Sequence, residues 1–159
     1  MKITTMRLML MLPALLLAAG QARGACSNDT LHGRYAFTIT GQILAPVPAA
    51  GPVSGVAITD FDGAGGLTQQ DHLLHNGVLP VEDWRPGTGT YSINADCTGW
   101  MTINPQPTVP ADGSPDLKLY IVVAEDGHEI RTVVSGSPTV PPFSASITSI
   151  GIRIARPEW

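Results

Sequence analysis

The side chains of this chain that could do chemistry are few and scattered. His72 and His75 stand three residues apart in a stretch that reads as a strand, so they point to opposite faces and cannot share a metal there. Asp60-Phe61-Asp62-Gly63 has the alternate carboxylates that open a calcium loop. The further acids and the distal bidentate Glu of such a loop do not follow, and a tight hairpin turn explains the same residues. No metal or cofactor site is expected. The chain has no Gly-x-Ser-x-Gly elbow, no His-Glu-x-x-His, no phosphate-cradling glycine loop and no dinucleotide fingerprint. Ser135 and Ser137 flank Gly136 without a recognisable catalytic partner. Glu129 and Arg131 are the candidate catalytic pair, since they share one strand face with Val133. Turned inward, a carboxylate beside a guanidinium could act in acid/base chemistry or anchor a ligand. Turned outward, the pair is solvated and Ile130, Thr132 and Val134 fill the core; the outward orientation is the expected one.

A binding role has more residues behind it. Tyr35, Phe37 and Tyr91 fall on strand faces expected to turn inward, and Gly33, Ala57 and Gly89 are small enough to leave room at one end. Trp84 and Trp100 sit near loops, where they could rim a mouth or cap a core. The elements that must position these residues are strands. Glycine and proline punctuate the whole chain, the runs between are rich in β-branched and aromatic residues, and no window keeps an apolar stripe at helical spacing for three turns. Strands are expected near 31–40, 53–61, 67–76, 89–93, 100–104, 117–124, 129–135 and 143–155. A hairpin turn is expected at 62–66, and loops around Pro80, Trp84 and Pro86, at 105–115 and at 138–142. Eight strands joined as sequence neighbours close most economically into an all-β, antiparallel up-and-down barrel; a two-sheet β-sandwich is the alternative. Tyr35, Phe37, Ile39, Tyr91, Ile93, Met101, Ile103 and Ile121 should then be inside, and Arg34, Thr38, Thr90 and Lys118 outside.

The first 24 residues set the expected compartment. Lys2 and Arg7, the apolar run 8–19, and Ala22-Arg23-Gly24 read as an export signal cleaved before Ala25. That run is too short for a comfortable membrane span. Residues 25–159 are one domain by length and keep 6 basic residues against 13 acidic ones, a net charge of about −7. Such a surface repels phosphate backbones and anionic lipid heads, so neither nucleic acid nor membrane insertion is expected. Cys26 and Cys97 are the only cysteines. In a secreted or periplasmic protein they should form one disulfide.

Leu31-His32-Gly33-Arg34-Tyr35-Ala36-Phe37, Phe61-Asp62-Gly63-Ala64-Gly65, Gly89-Thr90-Tyr91 followed by Asp96-Cys97-Thr98-Gly99, and Gly127-His128-Glu129 carry a resemblance. Together they resemble a group of exported bacterial proteins of this size, largely uncharacterised. The architecture resembles the calycin and allene-oxide-cyclase-like barrels, which implies a fold and no function. The lipocalin Gly-x-Trp is replaced here by Gly33-Arg34-Tyr35. The expected function is non-enzymatic: an exported barrel that binds a small apolar ligand or a protein partner at one end. The alternative is a barrel isomerase or cyclase using an interior carboxylate such as Glu129.

Overall fold

Alternation of inward and outward side chains runs through every strand of the computed structural model, which describes residues 25–106, 116–139 and 143–154. The export segment expected at 1–24 lies outside the described residues, as do 107–115, 140–142 and 155–159. The strands are β1 His32–Ala45, β2 Gly51–Asp62, β3 Gly66–His75, β4 Arg85–Ile93, β5 Thr98–Pro105, β6 Leu117–Ala124, β7 Glu129–Gly136 and β8 Ser144–Arg153. Each pairs antiparallel with its sequence neighbours, and β8 returns to β1 with Phe37 opposite Gly151. The sheet is thereby a closed eight-stranded up-and-down barrel, not a sandwich. Closure removes every edge, so no strand is left with a row of unpaired backbone groups.

Local chemistry sets the reversals. In the β2–β3 hairpin, Asp62 Oδ1 accepts the N–H groups of Ala64, Gly65 and Gly66 at 2.7, 2.9 and 2.9 Å. Gly63 and Gly65 there have φ of 79° and 114°, which an L side chain rarely adopts. β1 runs on to Ala45, past its expected end, because Gly41 lets β8 approach closely: a Cβ there would collide with the Ser146 carbonyl. β4 begins at Arg85, four residues earlier than expected. Pro86 reads as a strand breaker because it has no N–H to donate. Its carbonyl still accepts the Gln106 N–H at 2.7 Å, and the strand continues through it.

The interior is the core. Tyr35, Phe37, Tyr91, Ile93, Met101, Ile103 and Ile121 are buried as expected, each such side chain contributing roughly 1.5 to 3 kcal/mol on leaving water. Ile39 is only partly buried, against the core cluster. Thr38, Thr90 and Lys118 are exposed. Arg34 lies outside but is partly covered, because its guanidinium grips Asp60 on the neighbouring strand at 2.8 to 3.2 Å. Thr68, Thr88, Thr90 and Thr102 line the outer face of β3 to β5, where the Thr90 and Thr102 hydroxyls meet at 3.0 Å, whereas Trp100, Tyr120, Val122, Val133, Ile150 and Ile152 are exposed across β5 to β8. No helix among the described residues is long and apolar enough to cross a membrane.

Candidate functional site

The two ends of the barrel are built differently. At one end, where β1 starts and β8 finishes, the amino-terminal segment is tied down by the Cys26–Cys97 disulfide, with Cα atoms 5.0 Å apart. Cys26 N–H also donates to Ala95 O at 3.2 Å, and Asn28 Oδ1 accepts the Ile93 N–H at 2.8 Å. Leu31, fully buried, is driven into this end as a stopper. Beneath it the rings of Tyr35, Phe61 and Tyr91 stack edge to face, with centroids 5.3 and 5.0 Å apart.

Both tyrosine hydroxyls are spent on that plug. The Tyr35 hydroxyl donates to the Gly127 carbonyl and accepts from Arg153 Nε at 3.0 Å, while Arg153 Nη2 donates to Thr30 O at 2.9 Å. Tyr91 donates to the Leu31 carbonyl at 2.8 Å, with Asn28 O at 3.1 Å. Burial pushes both phenols above their ordinary pKa, although Arg153 pulls Tyr35 back in part.

Deeper in the barrel the packing loosens. A cavity of about 60 Å³ lies among the inward side chains, Phe37 and Met101 among them. It leads into a vestibule of about 580 Å³ at the opposite end, and Val53, Leu73, Leu117 and Ile147 line both spaces. The deep space exceeds what one water needs. It is far below a drug-sized site, whereas cavity and vestibule together reach that range. Leu79 and Val81, both largely exposed, stand at the vestibule wall.

The cavity wall is apolar except in two places. On β2, β3 and β4, Thr59 Oγ1 donates to Gln69 Oε1 at 3.2 Å and Gln69 Nε2 donates to Asp71 Oδ2 at 3.0 Å. Arg85 closes the chain by donating Nε to Asp71 Oδ1 and Nη2 to Asp71 Oδ2, both at 3.1 Å. Such a bidentate pair is the strong, geometrically fixed form of an ion pair. On β7 and β8, the Thr132 and Ser149 hydroxyls meet at 2.6 Å. In the closed strand order β7 and β8 stand four strands from β3 and β4, on the far side of the barrel. No buried side-chain nitrogen or oxygen among the described residues lacks a hydrogen-bond partner.

Of the aromatic residues expected to bind a ligand, Phe37 lines the cavity, while Tyr35 and Tyr91 sit in the plug. All three point inward; depth along the barrel axis separates them. Glu129 and Arg131 face outward and pair with each other, with Ile130, Thr132 and Val134 buried on the other face of β7. An interior carboxylate is therefore supplied by Asp71, not Glu129. His72 lies on the outer face with Nδ1 against the Asp83 carbonyl, and His75 borders the vestibule. Asp60 grips Arg34 and Asp62 caps the hairpin, so the two carboxylates do not converge on one point.

The polar cluster went unread in the sequence, although a signal for half of it is present. Leu67, Gln69, Asp71 and Leu73 occupy alternate positions, and the leucines mark that face as inward. Arg85 had no such signal, because Pro86 hides the start of its strand. Compared with known protein families, curated proteins and solved structures, the chain shows no significant match.

Proposed function

We propose that this chain is an exported small barrel that carries a small, largely apolar molecule in the cavity and vestibule. The observation that supports this reading most is the asymmetry of the ends. One is stoppered by Leu31, three aromatic rings and a disulfide, and the other holds an apolar space continuous with the barrel interior. The disulfide fits an oxidising compartment, periplasmic or extracellular. The mostly apolar interior differs from the polar lumen of a membrane barrel, while the outer face mixes threonines with exposed Trp100, Tyr120, Val122, Val133, Ile150 and Ile152. The likeness to exported bacterial barrels of the calycin type is of the same kind, an inference from shape and motif order.

The test uses a neutral apolar fluorophore, N-phenyl-1-naphthylamine, and the native, disulfide-bonded protein. Saturable binding at one site is expected. Val53→Phe, placed between cavity and vestibule, should weaken binding at least about tenfold, the scale of one well-filled apolar contact. Val56→Phe on the outer face should leave it unchanged. Absence of saturable binding, or equal binding by both variants, overturns the carrier reading.

A further inference from the structure

Resting on that carrier reading, we infer that the ligand's buried end is a single uncharged oxygen function, a hydroxyl or carbonyl, and that fatty acids and amines are poor ligands. Five buried polar side chains occur among the described residues, and four of them, Gln69, Asp71, Thr132 and Ser149, line the cavity. A site for pure hydrocarbon has no use for them, since burying polar groups opposes folding unless they are bonded.

What these groups have left to offer defines the ligand. Thr132 and Ser149 own two hydroxyl protons, and one of them bridges the two oxygens. The second proton can be donated into the cavity. Asp71 accepts three hydrogen bonds, two from Arg85 and one from Gln69, and an ionised carboxylate has room for about four. One acceptor position therefore remains on the opposite wall. The charges add nothing: the carboxylate of Asp71 is matched by the guanidinium it grips, so the wall is close to neutral. A ligand carboxylate or ammonium would lose its hydration in this space without an unmatched partner, which is costly. A hydroxyl or carbonyl loses far less and meets a donor on one side and an acceptor on the other. A deep space of about 60 Å³ suits such a small group, and the vestibule takes the apolar remainder.

The experiment ranks 1-heptanol, heptanoate and heptylamine at pH 7 by displacement of N-phenyl-1-naphthylamine from the native protein. Heptanol should bind about tenfold or more tightly than either charged analogue. Heptanoate or heptylamine binding as tightly as heptanol overturns this inference and leaves the carrier reading standing. Failure of the fluorophore itself to bind overturns both. Thr132→Val combined with Ser149→Ala removes the hydroxyl pair with little change of volume. It should weaken heptanol about fivefold, one hydrogen bond's worth, and narrow its margin over heptanoate by the same factor. Unaltered heptanol binding by the folded double variant overturns the assignment; should that variant not fold, the ranking on native protein decides alone.

Discussion

Asp62 does with one oxygen what a whole turn would otherwise need: it bonds three successive backbone N–H groups. Those N–H groups, Ala64 first, hold its carboxyl below the usual carboxylate range. A depressed native pKa means stability that is present above the unfolded value, about 3.9, and lost as pH falls through the lower native one. Asp62→Asn keeps the acceptor oxygen and removes the charge. Melting curves should show a lower Tm at pH 7 and a shallower loss of stability below about pH 4 than in the parent. Tyr35 and Tyr91 carry the opposite sign. Burial raises both, so their contribution is complete below the ordinary phenol value of about 10 and falls as pH rises through the higher native values. Phe37 is a packing residue with a view of the cavity, its ring lying against Gly151 where no Cβ would fit. Phe37→Ala should cost about 3 to 5 kcal/mol by denaturant unfolding.

At the scale of the element, β4 decides what the interior can do. Its extension through Pro86 places Arg85 opposite Asp71 in the ladder, and alternation then turns both side chains inward. The side chains are 13% and 5% exposed, so the pair is buried and each partner depends on the other. Arg85→Leu should destabilise the barrel by about 3 to 5 kcal/mol, because it leaves an uncompensated carboxylate in the core. Asp71→Leu combined with Arg85→Leu should recover most of that loss, as well-packed apolar pairs replace buried ion pairs at little cost. Equilibrium unfolding of the two variants side by side checks the difference. β7 makes the complementary point. Its outward Glu129 and Arg131 and its inward Ile130, Thr132 and Val134 follow from strict alternation, so one strand separates a solvated ion pair from the cavity wall.

For the whole molecule, closure and plugging are separate devices. The barrel closes through β1 and β8 alone, whereas the plug depends on residues before β1 held by Cys26–Cys97. The sequence separation of 71 residues makes this bond worth about 4 kcal/mol on the chain-entropy account. Cys26→Ala with Cys97→Ala should lower stability by about that amount in denaturant titration. Because the cavity lies toward the other end, the folded double variant should still bind the neutral fluorophore.

The sequence by itself determined the class, the eight strands, their order, the disulfide pairing and which face of most strands turns inward. These are local properties: alternation at i and i+2 is written in each strand, and tight reversals such as the Gly-rich turn at 62–66 pair sequence neighbours. Tyr35, Phe37, Ile103 and Ile121 were legible as inward for that reason. Depth along the axis was not, and it decides that Phe37 meets the cavity while Tyr35 and Tyr91 seal an end. The cavity itself is the volume left after side chains from all eight strands have met, a sum that no single strand contains. Asp71, Arg85, Thr132 and Ser149 come together only because closure sets β3 and β4 across from β7 and β8, and only the tertiary structure makes that juxtaposition.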